Sequence, residues 1–86
     1  MKLKEFKYEI KERKKQLLFN NGIYLASRKE LDYTICLYQI ETFYVEAFFY
    51  DGLEEVGYMR AFSSINDLEP YLRKIKLPQE LILKDN

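Results

Sequence analysis

Between Tyr33 and Phe62 the sequence holds nine aromatic residues and a single basic one, Arg60. The nine are Tyr33, Tyr38, Phe43, Tyr44, Phe48, Phe49, Tyr50, Tyr58 and Phe62. Aromatic and β-branched residues favour strands, so this stretch predicts a β-sheet. Aromatic sheets can stack nucleic-acid bases, but binding a polyanion also needs cations on the same surface. The near absence of basic residues therefore argues against nucleic acid as the partner of this sheet.

Four strands are predicted from an apolar pattern of period two, over residues 23–28, 33–40, 43–50 and 55–62. Asp51-Gly52 is a strong hairpin signal between the last two strands. A turn at Glu41-Thr42 is inferred from length, because residues 33–50 would otherwise form one strand far longer than the usual roughly 3–10 residues. Strands joined by such short connections predict an antiparallel meander.

A helix is predicted in the chain before the sheet and another after it. The first is a basic helix over residues 1–21, followed by a stop signal at Gly22. The second lies within residues 63–77, starts at Asn66 or Asp67, and ends before Pro78. We expect residues 1–86 to form one small α+β domain: an N-terminal helix, a four-stranded antiparallel β-meander at 22–62, and a short C-terminal helix packed on the sheet, with a tail at 78–86.

Turns of even length place alternate residues of neighbouring strands on a common face. The face predicted as core carries one charge, Arg60, and its other residues are Ile23, Leu25, Cys36, Tyr38, Ile40, Phe43, Val45, Ala47, Phe49, Val56, Tyr58 and Phe62. The second face is rich in tyrosine and too apolar for plain exposure to water. Its predicted partner-binding residues are Tyr24, Tyr33, Tyr44, Glu46, Phe48, Tyr50 and Met59. We expect both helices to lie on the core face and to leave the second face for a partner.

Tyrosine gives a large contact area with a polar tip, which suits a protein interface. The sequence therefore predicts a non-enzymatic protein–protein interaction module, a homodimer formed through the second face. An alternative stays open, in which a helix or the segment Leu81–Leu83 of the same chain covers that face.

Charge is unevenly distributed along the chain although its net charge is zero. Residues 1–15 hold seven basic and three acidic residues, a net charge of +4, and residues 30–69 hold one basic and nine acidic residues, a net charge of −8. The second functional hypothesis is a nucleic-acid-associated regulator that contacts phosphates through Lys11, Arg13, Lys14 and Lys15. A variant of it is an acidic segment that mimics nucleic acid and binds a basic partner. We expect the basic helix to be mainly a solvated one.

Little in the sequence points to catalysis. The chain has no histidine and one cysteine, so neither the commonest general base nor a Cys/His zinc site can be assembled from it, and no glycine-rich phosphate loop is present. Cys36 is expected to be an inert core thiol, and Arg28 and Glu46 are placed on one face as a polar pair. We expect no enzyme activity, no cofactor and no metal. A cytoplasmic protein without a membrane span is expected, since the longest uncharged run, Gln16–Ser27, is shorter than the about 20 residues needed.

Overall fold

The fold is that of a computed structural model, which describes residues 1–72. Two short helices come first, followed by four strands and a 3-10 helix. Their bounds are α1 Leu3–Lys7, α2 Lys11–Asn21, β1 Ile23–Glu30, β2 Tyr33–Ile40, β3 Phe43–Tyr50, β4 Val56–Phe62 and the 3-10 helix Ile65–Tyr71. The strands form one antiparallel sheet in the order β1-β2-β3-β4, which confirms the α+β meander. The rest of the predicted C-terminal helix and the tail at 78–86 lie outside the described residues.

The predicted single N-terminal helix is wrong, because the chain breaks between α1 and α2. Phe6 and Leu18 are both fully buried in one cluster. In a continuous helix these residues would lie about 120° apart around the axis, so one helix could not present both side chains to the sheet. The break at Tyr8 and Ile10, which are exposed, turns the two helices so that each buries its own apolar residue.

The main core lies between these helices and one face of the sheet, which we call the helix face. The buried residues of this core are Phe6, Leu18, Ile40, Phe43, Val45, Ala47, Val56 and Met59. Strict pairing of β2 with β3, from Tyr33 opposite Tyr50 to Ile40 opposite Phe43, confirms the predicted turn at Glu41-Thr42. The side chains of Val45 and Ala47 therefore lie on the helix face as expected.

Two bulges move parts of the outer strands to the face opposite the predicted one. In β4 the register shifts so that Phe49 pairs with Val56 and Phe48 with Tyr58, which leaves Gly57 unpaired. An extra residue reverses the alternation beyond it. Tyr58, Arg60 and Phe62 consequently lie on the second face, and Met59 lies in the core of the helix face.

The second bulge, at Leu25, has the same effect at the start of β1. Tyr24 pairs with Tyr38, and the two rings make an edge contact at 5.9 Å. Since Tyr38 packs against the core of the helix face, Tyr24 belongs to that face and not to the second one. The predicted face is thus wrong for Tyr24 and Met59. It is wrong in the opposite direction for Ile23, which pairs with Gln39, and for Leu25, which packs against the cluster on the second face.

The 3-10 helix packs on the second face, so the expectation that both helices lie on the core face is also wrong. Leu68 and Tyr71 are fully buried there against Ala26, Leu37 and Phe62. The helix begins at Ile65 and not at Asn66 or Asp67, and its N-cap is Ser64, whose hydroxyl accepts a hydrogen bond from the Asn66 amide at 3.2 Å.

Candidate functional site

The second face divides into a covered half and an open half. The 3-10 helix covers the half in which Tyr44 stacks on Phe62, with ring centroids 5.7 Å apart. The other half lies at the end of the sheet where the β1–β2 turn meets the β3–β4 connection, since the Asp51 amide donates to the Asp32 carbonyl at 2.8 Å. No helix of residues 1–72 covers that end of the second face.

A buried carboxylate, Glu46, lies between the two halves and is 1% exposed. Arg28 Nη2 donates to one of its oxygens, Oε2, at 3.1 Å, and Arg60 Nε donates to the other, Oε1, at 3.0 Å. The Tyr71 hydroxyl donates to Oε2 at 2.6 Å and accepts a hydrogen bond from Arg28 Nε at 3.2 Å. The Glu46 cluster, formed by these four residues, therefore joins β1, β3 and β4 to the 3-10 helix.

The electrostatics of the Glu46 cluster fix the protonation of the tyrosine. Burial, followed by the hydrogen bond to Glu46, raises the pKa of Tyr71 well above its ordinary value. The phenol therefore stays protonated at neutral pH and acts as a donor to the carboxylate. Within residues 1–72 every buried side-chain nitrogen and oxygen has a hydrogen-bond partner, so this cluster is a fully satisfied polar network.

Three aromatic rings meet at the open half. Tyr33 lies 4.5 Å from Tyr50 and 5.8 Å from Phe48, measured between ring centroids. Tyr33 and Phe48 are half-buried, and Tyr50 is 47% exposed. The neighbouring Tyr50 hydroxyl is the main cause that raises the pKa of Tyr33. Beside the rings lies an open groove of about 350 Å³, lined by Arg28, Glu30, Leu31, Asp32, Tyr33, Ile35 and Phe48.

Leu31 forms the tip of the β1–β2 turn and borders this groove. Its side chain is 93% exposed, and its backbone φ is 45°, in the left-handed region that favours glycine or asparagine. A leucine at such a position destabilises the fold in two ways: its backbone conformation is unfavourable for a residue with a Cβ, and its apolar side chain is exposed to water. We define the hairpin-end patch as Leu31, Tyr33, Phe48 and Tyr50.

The structure brings together only some of the residues predicted to bind a partner. Tyr33, Phe48 and Tyr50 meet in the hairpin-end patch. Tyr44 and Glu46 lie on the same face beneath or beside the 3-10 helix, whereas Tyr24 and Met59 lie on the helix face. Sequence reasoning missed Leu31, because the connection was predicted as four residues. The structure has a two-residue turn there, which makes Leu31 its tip.

The four cations of the predicted nucleic-acid-binding helix separate into two pairs. Lys15 donates to Glu12 at 3.3 Å and to Glu55 at 3.0 Å, and Arg13 donates to Gln16 at 3.2 Å. The hydrogen bonds of Lys15 to Glu55, the larger cause, and to Glu12 raise the pKa of Lys15. Lys11 and Lys14 instead line a groove against β4.

Cys36 lies in the middle of the sheet, opposite Ala47. Burial raises the pKa of its thiol, which disfavours the nucleophilic thiolate at neutral pH. Among residues 1–72 no group of three or more acidic or cysteine side chains is placed to hold a metal ion.

Comparisons with protein-family models, with curated proteins and with solved structures find no significant match to this chain. None of the helices in residues 1–72 has the length and apolar character required to cross a bilayer.

Proposed function

We propose that this protein is a non-enzymatic interaction module that self-associates through the hairpin-end patch. The observation that carries the proposal is the cluster of three partly exposed rings beside an open groove and an exposed leucine. Aromatic residues supply much of the free energy of binding at protein interfaces.

We also propose a cytoplasmic location, to which an unpaired cysteine is suited.

The strained turn supports a binding role for this patch. Residues that hold an unfavourable backbone conformation cluster at functional sites, where another requirement overrides local stability. An asparagine or glycine would suit the backbone of Leu31 better, and a polar residue would suit its exposure. A leucine there is explained if its side chain is buried when a partner binds.

A second copy of the same chain fits the charges around the patch. In a two-fold dimer the same surface meets itself, so a patch of one sign would repel its copy. The hairpin end carries both signs: Lys29 pairs with Asp51, and Arg28 Nη1 donates to Glu30 at 2.6 Å. The net charge of zero removes long-range repulsion between copies.

Substitution of Tyr50 by glutamate tests this proposal. The change puts a charge among the rings and is expected to raise the Kd for self-association by about 30-fold or more, as loss of an interface hot spot does. Light scattering coupled to size exclusion, over a protein concentration series up to about 100 µM, measures it. The matched control is Tyr24→Glu, because Tyr24 is similarly exposed (56% against 47%) but lies on the helix face.

The wild-type chain is expected to dimerise in this series, Tyr24→Glu to dimerise equally, and Tyr50→Glu to remain monomeric. A wild-type protein that is monomeric throughout contradicts the proposal. An equal weakening of self-association by both variants also contradicts the proposal, since the effect would then come from the added charge and not from its position in the hairpin-end patch.

Substitution of Leu31 by asparagine is expected to separate stability from association. Asparagine tolerates the left-handed backbone, so the free energy of unfolding in urea should rise by about 0.5–1 kcal/mol. The Kd for self-association should rise by about tenfold, because a contact residue is lost.

The control for Leu31 is Glu41→Asn. Glu41 has the equivalent turn position with φ 50°, at the opposite end of the sheet, and its carboxylate pairs with the chain N-terminus at 2.9 Å. This variant should leave the dimer unchanged. If Leu31→Asn leaves the Kd for self-association unchanged, the turn is not part of the interface.

A further inference from the structure

A second surface, distinct from the hairpin-end patch, lies where the N-terminal helices meet β4. Two adjoining pockets of about 330 and 160 Å³ form a groove there, and they share Lys14, Tyr58 and Met59. Lys7 of α1 and Lys11 of α2 complete its walls, with Arg60 at one end. We call this surface the basic groove.

The lysines of the basic groove are available to a ligand. Within residues 1–72, Lys7, Lys11 and Lys14 make no ion pair, in contrast to Lys15. The Lys14 ammonium lies 5.8 Å from the Phe6 ring centroid, a distance at which the ring face attracts a cation. No acidic side chain of the described chain lines either pocket. Three positive charges therefore face one concave surface that no acidic side chain of residues 1–72 lines, and the counter-charge acting on Lys11 is Glu55, outside the groove.

An exposed aromatic ring lies among these cations. Tyr58 is 58% exposed, and Phe48 supports it from behind with ring centroids 5.3 Å apart. Lysine alone would bind any polyanion, whereas a ring next to lysines also offers a surface on which an unpaired base can stack. The bulge at Gly57 creates this arrangement, because it turns Tyr58 out of the core.

We propose that the basic groove binds single-stranded nucleic acid, with Lys7, Lys11 and Lys14 contacting phosphates and Tyr58 stacking on a base. Bases in a duplex are already stacked on one another and would not reach the ring. Contacts of this kind are tolerant of base sequence. The proposal does not require self-association through the hairpin-end patch, although the two surfaces adjoin where Phe48 packs on Tyr58.

Fluorescence anisotropy tests this binding with a labelled oligouridylate of about 15 nucleotides, a length that spans common single-strand sites. Titrations of the full chain from about 50 to 200 mM salt give both affinity and salt dependence. The double variant Lys7→Glu/Lys14→Glu is expected to weaken binding by at least about tenfold and to reduce the log–log salt slope by about 1.4, since each phosphate contact on a single strand contributes about 0.7. The control, Lys4→Glu/Arg13→Glu, makes the same charge change at exposed sites outside the groove.

Tyr58→Ala separates nucleic acid from other polyanions. It is expected to weaken oligouridylate binding by about 5-fold to 100-fold while heparin binding stays unchanged, because heparin has no base to stack. Three results would overturn the proposal: no binding at about 50 mM salt, where phosphate contacts are strongest; an equal loss in the control pair; or an oligonucleotide affinity that Tyr58→Ala leaves unaltered. Circular dichroism of each variant checks that it is folded.

Discussion

Replacing Phe6 by alanine is expected to lower the free energy of unfolding by about 4 kcal/mol, the usual cost of truncating a buried phenylalanine. Phe6 is fully buried, and its ring lies 5.6 Å from that of Phe43. It is the buried residue of α1, a helix of five residues that is too short to be stable without packing. Its loss would therefore release α1 from the sheet as well as open a cavity.

Urea unfolding measures the change, and thermal unfolding should show a fall in Tm of roughly 15 °C or more in a domain of this size. The matched control is Phe19→Ala. Phe19 is 53% exposed and makes one edge contact, with Tyr38 at 6.2 Å, so about 1 kcal/mol or less is expected. Equal losses for the two variants would mean that α1 is not packed on the sheet in solution.

The central hairpin could be predicted from the sequence with its residue bounds. The side chains of residues 33–40 and 43–50 alternate between the two faces of the sheet without a bulge. A turn of even length between these strands allows only one register that buries Ile40, Phe43 and Val45 together. The faces of the outer strands could not be predicted in the same way. A bulge of one residue reverses every side chain beyond it, and Leu25 gives no signal of one.

Gly57 did carry a signal, because an isolated glycine in a strand often marks a bulge. Given that signal, Tyr58, Arg60 and Phe62 would have been placed on the second face. The Glu46 cluster depends on this shift, since Arg60 reaches the carboxylate only from that face. A third donor besides Arg28 and Arg60 is Tyr71, which comes from outside the sheet, and local patterns do not reveal so distant a contact.

The N-terminal break also had a trace in the sequence. Five charged residues follow one another at 11–15 and interrupt a series of apolar residues at helical spacing, Leu3, Phe6, Ile10 and Leu17. The helical spacing of the apolar residues on both sides of this interruption predicts a single helix. The structure resolves the interruption as a new helix start at Lys11, which exposes Ile10 and directs Leu18 into the core.

The Glu46 cluster yields the second large effect: Glu46→Gln is expected to lower the free energy of unfolding by about 3 kcal/mol, as removal of one partner from a buried ion pair does. The amide keeps the shape of the side chain but removes the negative charge between Arg28 and Arg60. Each guanidinium keeps an acidic neighbour, Glu30 at 2.6 Å and Asp67 at 3.9 Å, and both reach solvent in part. The expected loss is therefore placed at the low end for buried pairs.

Urea unfolding of Glu46→Gln and of Glu55→Gln distinguishes the stability lost at a buried ion pair from the stability lost when an exposed charge is removed. Glu55 also forms an ion pair with a lysine, at 3.0 Å, but its side chain is 79% exposed. Removal of its charge should therefore lower the free energy of unfolding by about 0.5 kcal/mol or less. Because Arg28 lines the groove beside the hairpin-end patch, we further expect the folded Glu46→Gln protein to dimerise more weakly. Equal stability losses would show that the carboxylate is not shielded from water. A stability loss without a change in dimerisation would show that the cluster anchors the 3-10 helix but does not shape the interface.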